Sequence, residues 1–99
     1  MRGASPEETW YFTVLGPLRV RHRGVEVDLG SPKQRTVLGL LLLAAPQPVP
    51  VEVLVEEIWG DSGPSDPTRS LQVYVSSLRR ALGDPGLIRS EAGGYRLAP

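Results

Sequence analysis

The segment SDPTRSLQVYVSSLRRAL, residues 65 to 82, can satisfy both its ends and its apolar side chains only as a single helix. Asp66 or Ser65 can cap the free amides of a first turn, and Pro67 has the preset backbone angle of a first helical position. Gly83 follows where helices usually stop. At about 100° per residue, Leu71, Tyr74, Val75, Leu78, Ala81 and Leu82 fall on one stripe. That stripe must be buried, so the remainder of the chain has to supply a core against it.

The opposite side carries Arg69, Gln72, Val73, Ser76 and Arg80, with Ser77 and Arg79 on its flanks, and it holds no acid. A helix face that only meets water usually mixes both charges, because pairs of opposite sign four residues apart favour it. Arginines, a glutamine, hydroxyls and one exposed valine instead suit a DNA major groove. Arg matches phosphates or guanine edges, Gln matches adenine, and Val matches a thymine methyl. A basic solvated face is the competing reading of this helix taken alone.

Ninety-nine residues make one domain with one core. Without cysteine there is no disulfide framework, thiol nucleophile or thiolate metal site, which fits a reducing cytoplasm. The longest apolar run, Val37 to Ala45, is far too short to span a membrane. Residues 1 to 9 are polar, lack the apolar segment of a secretion signal, and are expected to form a loose tail ahead of a domain at 10 to 99. The net charge is zero, yet it is unevenly distributed. Residues 50 to 66 hold Glu52, Glu56, Glu57, Asp61 and Asp66 without a base, whereas residues 67 to 99 hold five arginines against Asp84 and Glu91. A dipolar layout of this kind allows a DNA face and a separate protein-facing surface on one domain.

Trp10 to Leu29 alternates as strands do, with turns at Gly16-Pro17 and Arg23-Gly24. A two-residue turn at Arg23-Gly24 would pair His22 with Val25, Arg21 with Glu26, Val20 with Val27, Arg19 with Asp28 and Leu18 with Leu29. One face of that hairpin is then apolar and the other carries opposite-charge pairs, so the register is specified. Trp10 to Leu15 would complete a three-stranded antiparallel sheet. His22, the single histidine, is read as structural, since no second imidazole exists to share a metal.

Ser31-Pro32-Lys33-Gln34 has the form of a capping box, so a second helix begins there. Its body, Val37 to Ala45, is apolar on nearly all sides and is expected to lie centrally. Lys33, Arg35 and Thr36 fall in its exposed first turn, where a phosphate could be held. Pro46, Pro48 and Pro50 end the helix and are read as an extended link. Val51 to Trp59 forms a short helix with Leu54, Val55, Ile58 and Trp59 inward and Glu52, Glu56 and Glu57 outward, stopped by Gly60. After the turn Asp84-Pro85-Gly86, Leu87 to Ser90 and Tyr95 to Leu97 form a hairpin around Glu91-Ala92-Gly93-Gly94. That hairpin would act as a wing, with Ile88, Tyr95 and Leu97 in the core and Arg89 opposite Arg96, an arrangement that suits a phosphate between them.

An α+β order of N-terminal sheet, three helices and C-terminal hairpin resembles the OmpR/PhoB-type winged helix-turn-helix. The motifs VLGPLRV (14 to 20), GSPKQRTVLGLLLL (30 to 43), LVEEIWG (54 to 60), SLQVYVSSLRRALGD (70 to 84) and GGYRL (93 to 97) are similar to those of the Streptomyces antibiotic regulatory proteins, the AfsR/DnrI group. In that family a helical transcriptional activation domain follows, which these residues do not include. The resemblance implies a transcriptional activator of secondary-metabolite genes, an effector domain akin to those of two-component regulators. It implies binding to direct repeats in promoters and contact with RNA polymerase. It makes 65 to 82 the recognition helix, with Val73, Ser77 and Arg80 facing bases and Arg69 and Arg79 near phosphates. Thr68, Gln72, Ser76, Lys33, Arg35, Arg89 and Arg96 complete the expected DNA-facing set, and Glu52, Glu56, Glu57 and Asp61 the polymerase-facing one. Two positions depart from the wider family: Glu91-Ala92-Gly93 stands at a wing tip where response regulators often have Arg, and Ser77 replaces a common Arg.

The domain is expected to be monomeric when free and to line up head to tail on DNA, because its apolar faces are taken by one core. The alternative is a winged-helix protein-interaction module without DNA binding, which the neutral charge favours. No enzyme, metal or cofactor is expected, given one His, no Cys and no Gly-rich phosphate loop after a strand.

Overall fold

The computed structural model describes residues 10–13 and 18–98 of the chain. The tail at 1–9, the Gly16-Pro17 turn, the expected strand end at Leu15 and Pro99 lie outside the described residues. Chain order is β1 (Trp10–Thr13), β2 (Arg19–His22), β3 (Val25–Glu26), α1 (Pro32–Ala44), β4 (Val49–Pro50), α2 (Val51–Trp59), α3 (Pro67–Leu82), a single 3-10 turn at Pro85–Leu87, β5 (Ile88–Glu91) and β6 (Gly94–Leu97). This is the α+β winged-helix order expected from the sequence.

The first sheet has the order β1-β2-β3, antiparallel throughout. Arg23 and Gly24 both take positive φ, 56° and 78°, as a type I′ hairpin turn requires. Arg21 pairs with Glu26 and His22 with Val25, in the expected register. The ladder is shorter than expected. It ends at Glu26, with one further bond from Val27 N–H to the Val20 carbonyl at 2.8 Å. Val20 is buried, but Val25 at the hairpin end is exposed, so the apolar face is covered only where it meets the helices.

Ser31 caps α1, its hydroxyl accepting from Gln34 N–H at 3.3 Å with Pro32 in the first position. The box is not completed in return: the Gln34 side chain turns inward. The helix is also less enclosed than expected. Val37, Leu38 and Leu41 are buried, Leu40 and Leu42 are half-buried, and Leu43 is 76% exposed. The helix is central in that it packs against α2, α3, β4 and β6, but spacing of three and four residues makes one covered stripe and leaves its other side in solvent.

The proline-rich link after α1 is not a bare connection. Val49 and Pro50 form β4 and pair with Tyr95 and Gly94, giving the second sheet the order β4-β6-β5. Pro50 fits because β4 is an edge strand, where a missing N–H costs no ladder bond. Val51 N–H then donates to the Gly93 carbonyl at 3.0 Å, so α2 starts directly against the wing tip. Gly94 is needed at that crossing: a Cβ there would lie 2.9 Å from the Val49 carbonyl carbon.

In α2, Leu54 and Ile58 are buried, Val55 and Trp59 are half-buried, and Glu52, Glu56 and Glu57 face solvent. Trp59 stacks on Tyr74 of α3 at 5.8 Å between ring centroids. Asp66 caps α3, accepting from Arg69 N–H at 3.1 Å, and Gly83 ends it in the left-handed conformation. Leu71, Val75, Leu78 and Leu82 fill the core from α3, while Ile88, Tyr95 and Leu97 close it from the wing. The first wing strand is shifted one residue along from the expected Leu87 to Ser90, Leu87 belonging to the 3-10 turn, and the second begins one residue earlier, at Gly94; a two-residue turn at Ala92-Gly93 joins them.

Candidate nucleic-acid interface

The exposed side of α3 carries Thr68, Arg69, Gln72, Val73, Ser76 and Arg80, all in solvent. Val73 is 59% exposed, a large apolar group left outside on a helix that has a core available. No acid lies anywhere on α3, and Arg79 and Arg80 stand in its last turn, where positive charge also favours the helix dipole. Beside this face, Gln72, Val51 and the wing from Ser90 to Tyr95 border an open groove of about 360 Å³.

The flanking residues behave differently from the face. Ser77 is half-buried, and its Oγ accepts from Gln34 Nε2 at 3.1 Å. Arg79 is half-buried too. Its Nε and Nη2 donate to the Ile88 carbonyl at 3.0 and 2.9 Å, and Nη2 also donates to Ser90 Oγ at 3.2 Å. Its guanidinium is thus committed to holding the wing, which restricts the phosphate role expected for it.

In the wing, Arg89 stands opposite Arg96 in the ladder, as expected. They do not form a matched pair of free cations. Arg96 is bound to the Glu91 carboxylate across the hairpin, while Arg89 stays exposed with one bond from Nε to the Gly86 carbonyl at 3.4 Å. Like charge at Arg96 is therefore offset locally, and the acid at the wing tip has an internal partner.

In the first turn of α1, Lys33 Nζ donates to the Ile58 carbonyl at 3.3 Å, Arg35 Nε to the Gly30 carbonyl at 3.3 Å and Thr36 Oγ1 to the Pro32 carbonyl at 2.9 Å. Lys33 thereby serves one of the free carbonyls at the end of α2. Lys33 and Thr36 are exposed and Arg35 half-exposed, but each has an internal bond. Glu52, Glu56, Glu57 and Asp61 are all exposed on α2 and the loop after it.

Gln34 was not legible as more than a capping residue. Its side chain is 8% exposed and donates from Nε2 to the Leu29 carbonyl at 3.0 Å as well as to Ser77. The signal was present in its spacing: Gln34 lies three, four and seven residues before Val37, Leu38 and Leu41, on the stripe that is buried. Among the described residues no group of three or more His, Cys, Asp or Glu is arranged to hold a metal ion, and no helix is long and apolar enough to cross a membrane.

Residues 24–97 match the family model described as "Transcriptional regulatory protein, C terminal". The chain is 45% identical over 91 residues to the transcriptional regulatory protein MoaR1 of Mycobacterium tuberculosis, covering 87% of this chain and 29% of that protein. It is 40% identical over 84 residues to the regulatory protein AfsR of Streptomyces coelicolor, covering 85% of this chain and 8% of AfsR. The solved structure of Mycobacterium tuberculosis EmbR in complex with a low-affinity phosphopeptide superposes with a TM-score of 0.84 at 37% identity, over 91% of this chain and 25% of EmbR. The chain thus spans less than a third of the length of these relatives. With its winged helix and acid-free α3 face, the chain belongs to the OmpR/PhoB-type transcriptional regulator C-terminal family, among the antibiotic regulatory protein relatives, a family of DNA-binding domains and not of enzymes.

Proposed function

We propose that this domain reads sequence in duplex DNA on behalf of a transcriptional activator, with α3 in the major groove. The observation that carries the reading is the α3 face itself: Arg69, Gln72, Val73, Ser76 and Arg80 are exposed together, with no acid among them. Arg69 and Arg89 supply charge for the phosphate backbone, and Arg80, Gln72 and Val73 have the chemistry to read base edges. Residues 10–99 act as the DNA-binding unit and 1–9 as a tail before it. The protein works in the cytoplasm and needs no cofactor for binding.

The finer reading follows from the resemblance to antibiotic regulators. Free copies are monomeric and bind head to tail on direct repeats in promoters of secondary-metabolite genes. Glu52, Glu56, Glu57 and Asp61 serve as a surface for RNA polymerase, since like charge keeps them out of a phosphate-lined groove. Selection of bound duplexes from a random pool, repeated across salt concentrations, tests this. Recovery of a repeated motif whose binding weakens steeply with salt supports it. Recovery of no motif, with binding indifferent to salt, favours a winged-helix module that binds only protein.

A further inference from the structure

We propose that Gln34 is a specificity-determining positioning residue: acting through Ser77, it fixes the roll of α3 about its own axis and so decides which side chains meet the base edges. The inference rests on the DNA-reading function proposed above.

The geometry is that of a two-donor clasp. Both hydrogens of the Gln34 amide are used, one toward the Leu29 carbonyl at 3.0 Å and one toward Ser77 Oγ at 3.1 Å. The Leu29 carbonyl is an acceptor only, so the amide nitrogen must face it and the same nitrogen then reaches α3. Three separate parts of the chain are tied at one atom: the loop entering α1, α1 itself and α3. The fold keeps room for that atom. Gly30, at φ +85°, sits where a Cβ would come within 2.7 Å of Gln34 Nε2.

Leu71, Val75, Leu78 and Leu82 pack α3 closely against the core and exclude a large turn of the helix. Apolar attraction is itself non-directional, however, and tolerates a small turn about the helix axis. A hydrogen bond does not, because its strength falls steeply with distance and angle. The lever is long: side-chain tips lie about 5 to 6 Å from a helix axis, so a roll of about 10° moves them by about 1 Å. The range of good N–H to O distances is only about 0.5 Å wide. A roll of that size would therefore spoil a base contact while leaving phosphate attraction nearly unchanged.

The test uses the 99-residue chain and the duplex recovered by selection, measured beside a scrambled duplex of equal length. In Gln34→Leu, cognate affinity should fall about fivefold, the equivalent of ~1 kcal/mol, with scrambled affinity unchanged. Ser77→Ala should do the same, and the double variant should lose no more than either alone, because both remove one linkage. Gln34→Met repeats the measurement should the leucine variant not fold. Equal weakening on both duplexes, an unchanged cognate-to-scrambled ratio, or losses that multiply in the double variant would each overturn the proposal. Failure of both Gln34 variants to fold would overturn it too, leaving Gln34 a stability residue. A wild-type chain with no preference for any duplex would remove the DNA reading and this inference with it. A preference kept intact in Gln34→Leu removes the inference alone.

Discussion

The guanidinium of Arg79 clasps the Ile88 carbonyl from Nε at 3.0 Å and Nη2 at 2.9 Å, so the last turn of α3 and the first residue of the wing move as one piece. Charge-assisted bonds to a half-buried carbonyl contribute about 1 to 3 kcal/mol. Arg79→Ala should lower stability by about that amount and speed amide exchange in β5. Arg79→Lys should recover only part of it, because an ammonium cannot present the forked pair of donors. An unchanged denaturation midpoint with β5 still protected would mean that Arg79 is free for another role.

Gly94 marks the tightest crossing in the wing sheet, where a Cβ would meet the backbone of Val49 and not a movable side chain. Gly94→Ala should separate β4 from β6 and cost several kcal/mol, in the range of a serious steric insertion. The variant should also loosen the start of α2, since Val51 N–H depends on the neighbouring Gly93 carbonyl. Thermal melting checks the first effect and hydrogen exchange at 51–53 the second.

Salt dependence should reflect the cations that remain available. Arg96 is bound to Glu91 and Arg79 to Ile88, and Arg80 is assigned to base edges, which leaves Arg69, Arg89 and Arg35 as the better phosphate partners. With about three phosphates neutralised per domain, the slope of log affinity against log salt should be about −3. A slope beyond about −5 would require Arg96 and Arg79 to leave their internal partners on binding.

The features legible in the sequence were those set by local chemistry. The α3 caps at Asp66 and Gly83, the 3.6-residue stripe from Leu71 to Leu82 and the His22-Val25 register all follow from neighbours a few residues apart. What escaped was set by distant partners. Val49-Pro50 has no strand signal of its own and becomes β4 only because Tyr95 and Gly94 lie alongside. The helix period places Arg79 on the flank, but that its guanidinium is bound to the Ile88 carbonyl follows only from the wing lying beside it. Leu43 belongs to the apolar run of α1 but lies two, five and six residues from Leu41, Leu38 and Val37, off the stripe that the core covers.

Reversing charge on α2 should separate its two proposed surfaces. Glu52, Glu56 and Glu57 are exposed and make no ion pair among those found in the described residues, so Lys at all three should cost little stability. In the isolated domain, cognate affinity should hold or rise slightly through general attraction to DNA. In a longer regulator carrying this domain, promoter activation should fall. Parallel loss of DNA binding and activation would contradict the assignment of this helix to a protein partner.

Arg80 and Arg79 are adjacent in sequence yet about 100° apart on the helix, and the difference can be measured. Arg80 lies within about 20° of both Val73 and Arg69 on the side opposite Leu71 and Leu78, and it is exposed, with no side-chain bond found for it among the described residues. It is thus the arginine of the pair suited to guanine O6 and N7. Arg80→Ala should cost about 1 to 3 kcal/mol on the cognate duplex and relax preference at one base pair. Arg79→Ala should weaken cognate and scrambled duplexes alike, through a loosened wing and one lost charge. Each variant removes a single positive charge, so general attraction cannot account for a difference between them. Measuring both on both duplexes decides the matter: equal loss of discrimination, or loss in Arg79→Ala alone, would show that α3 presents another face to the groove.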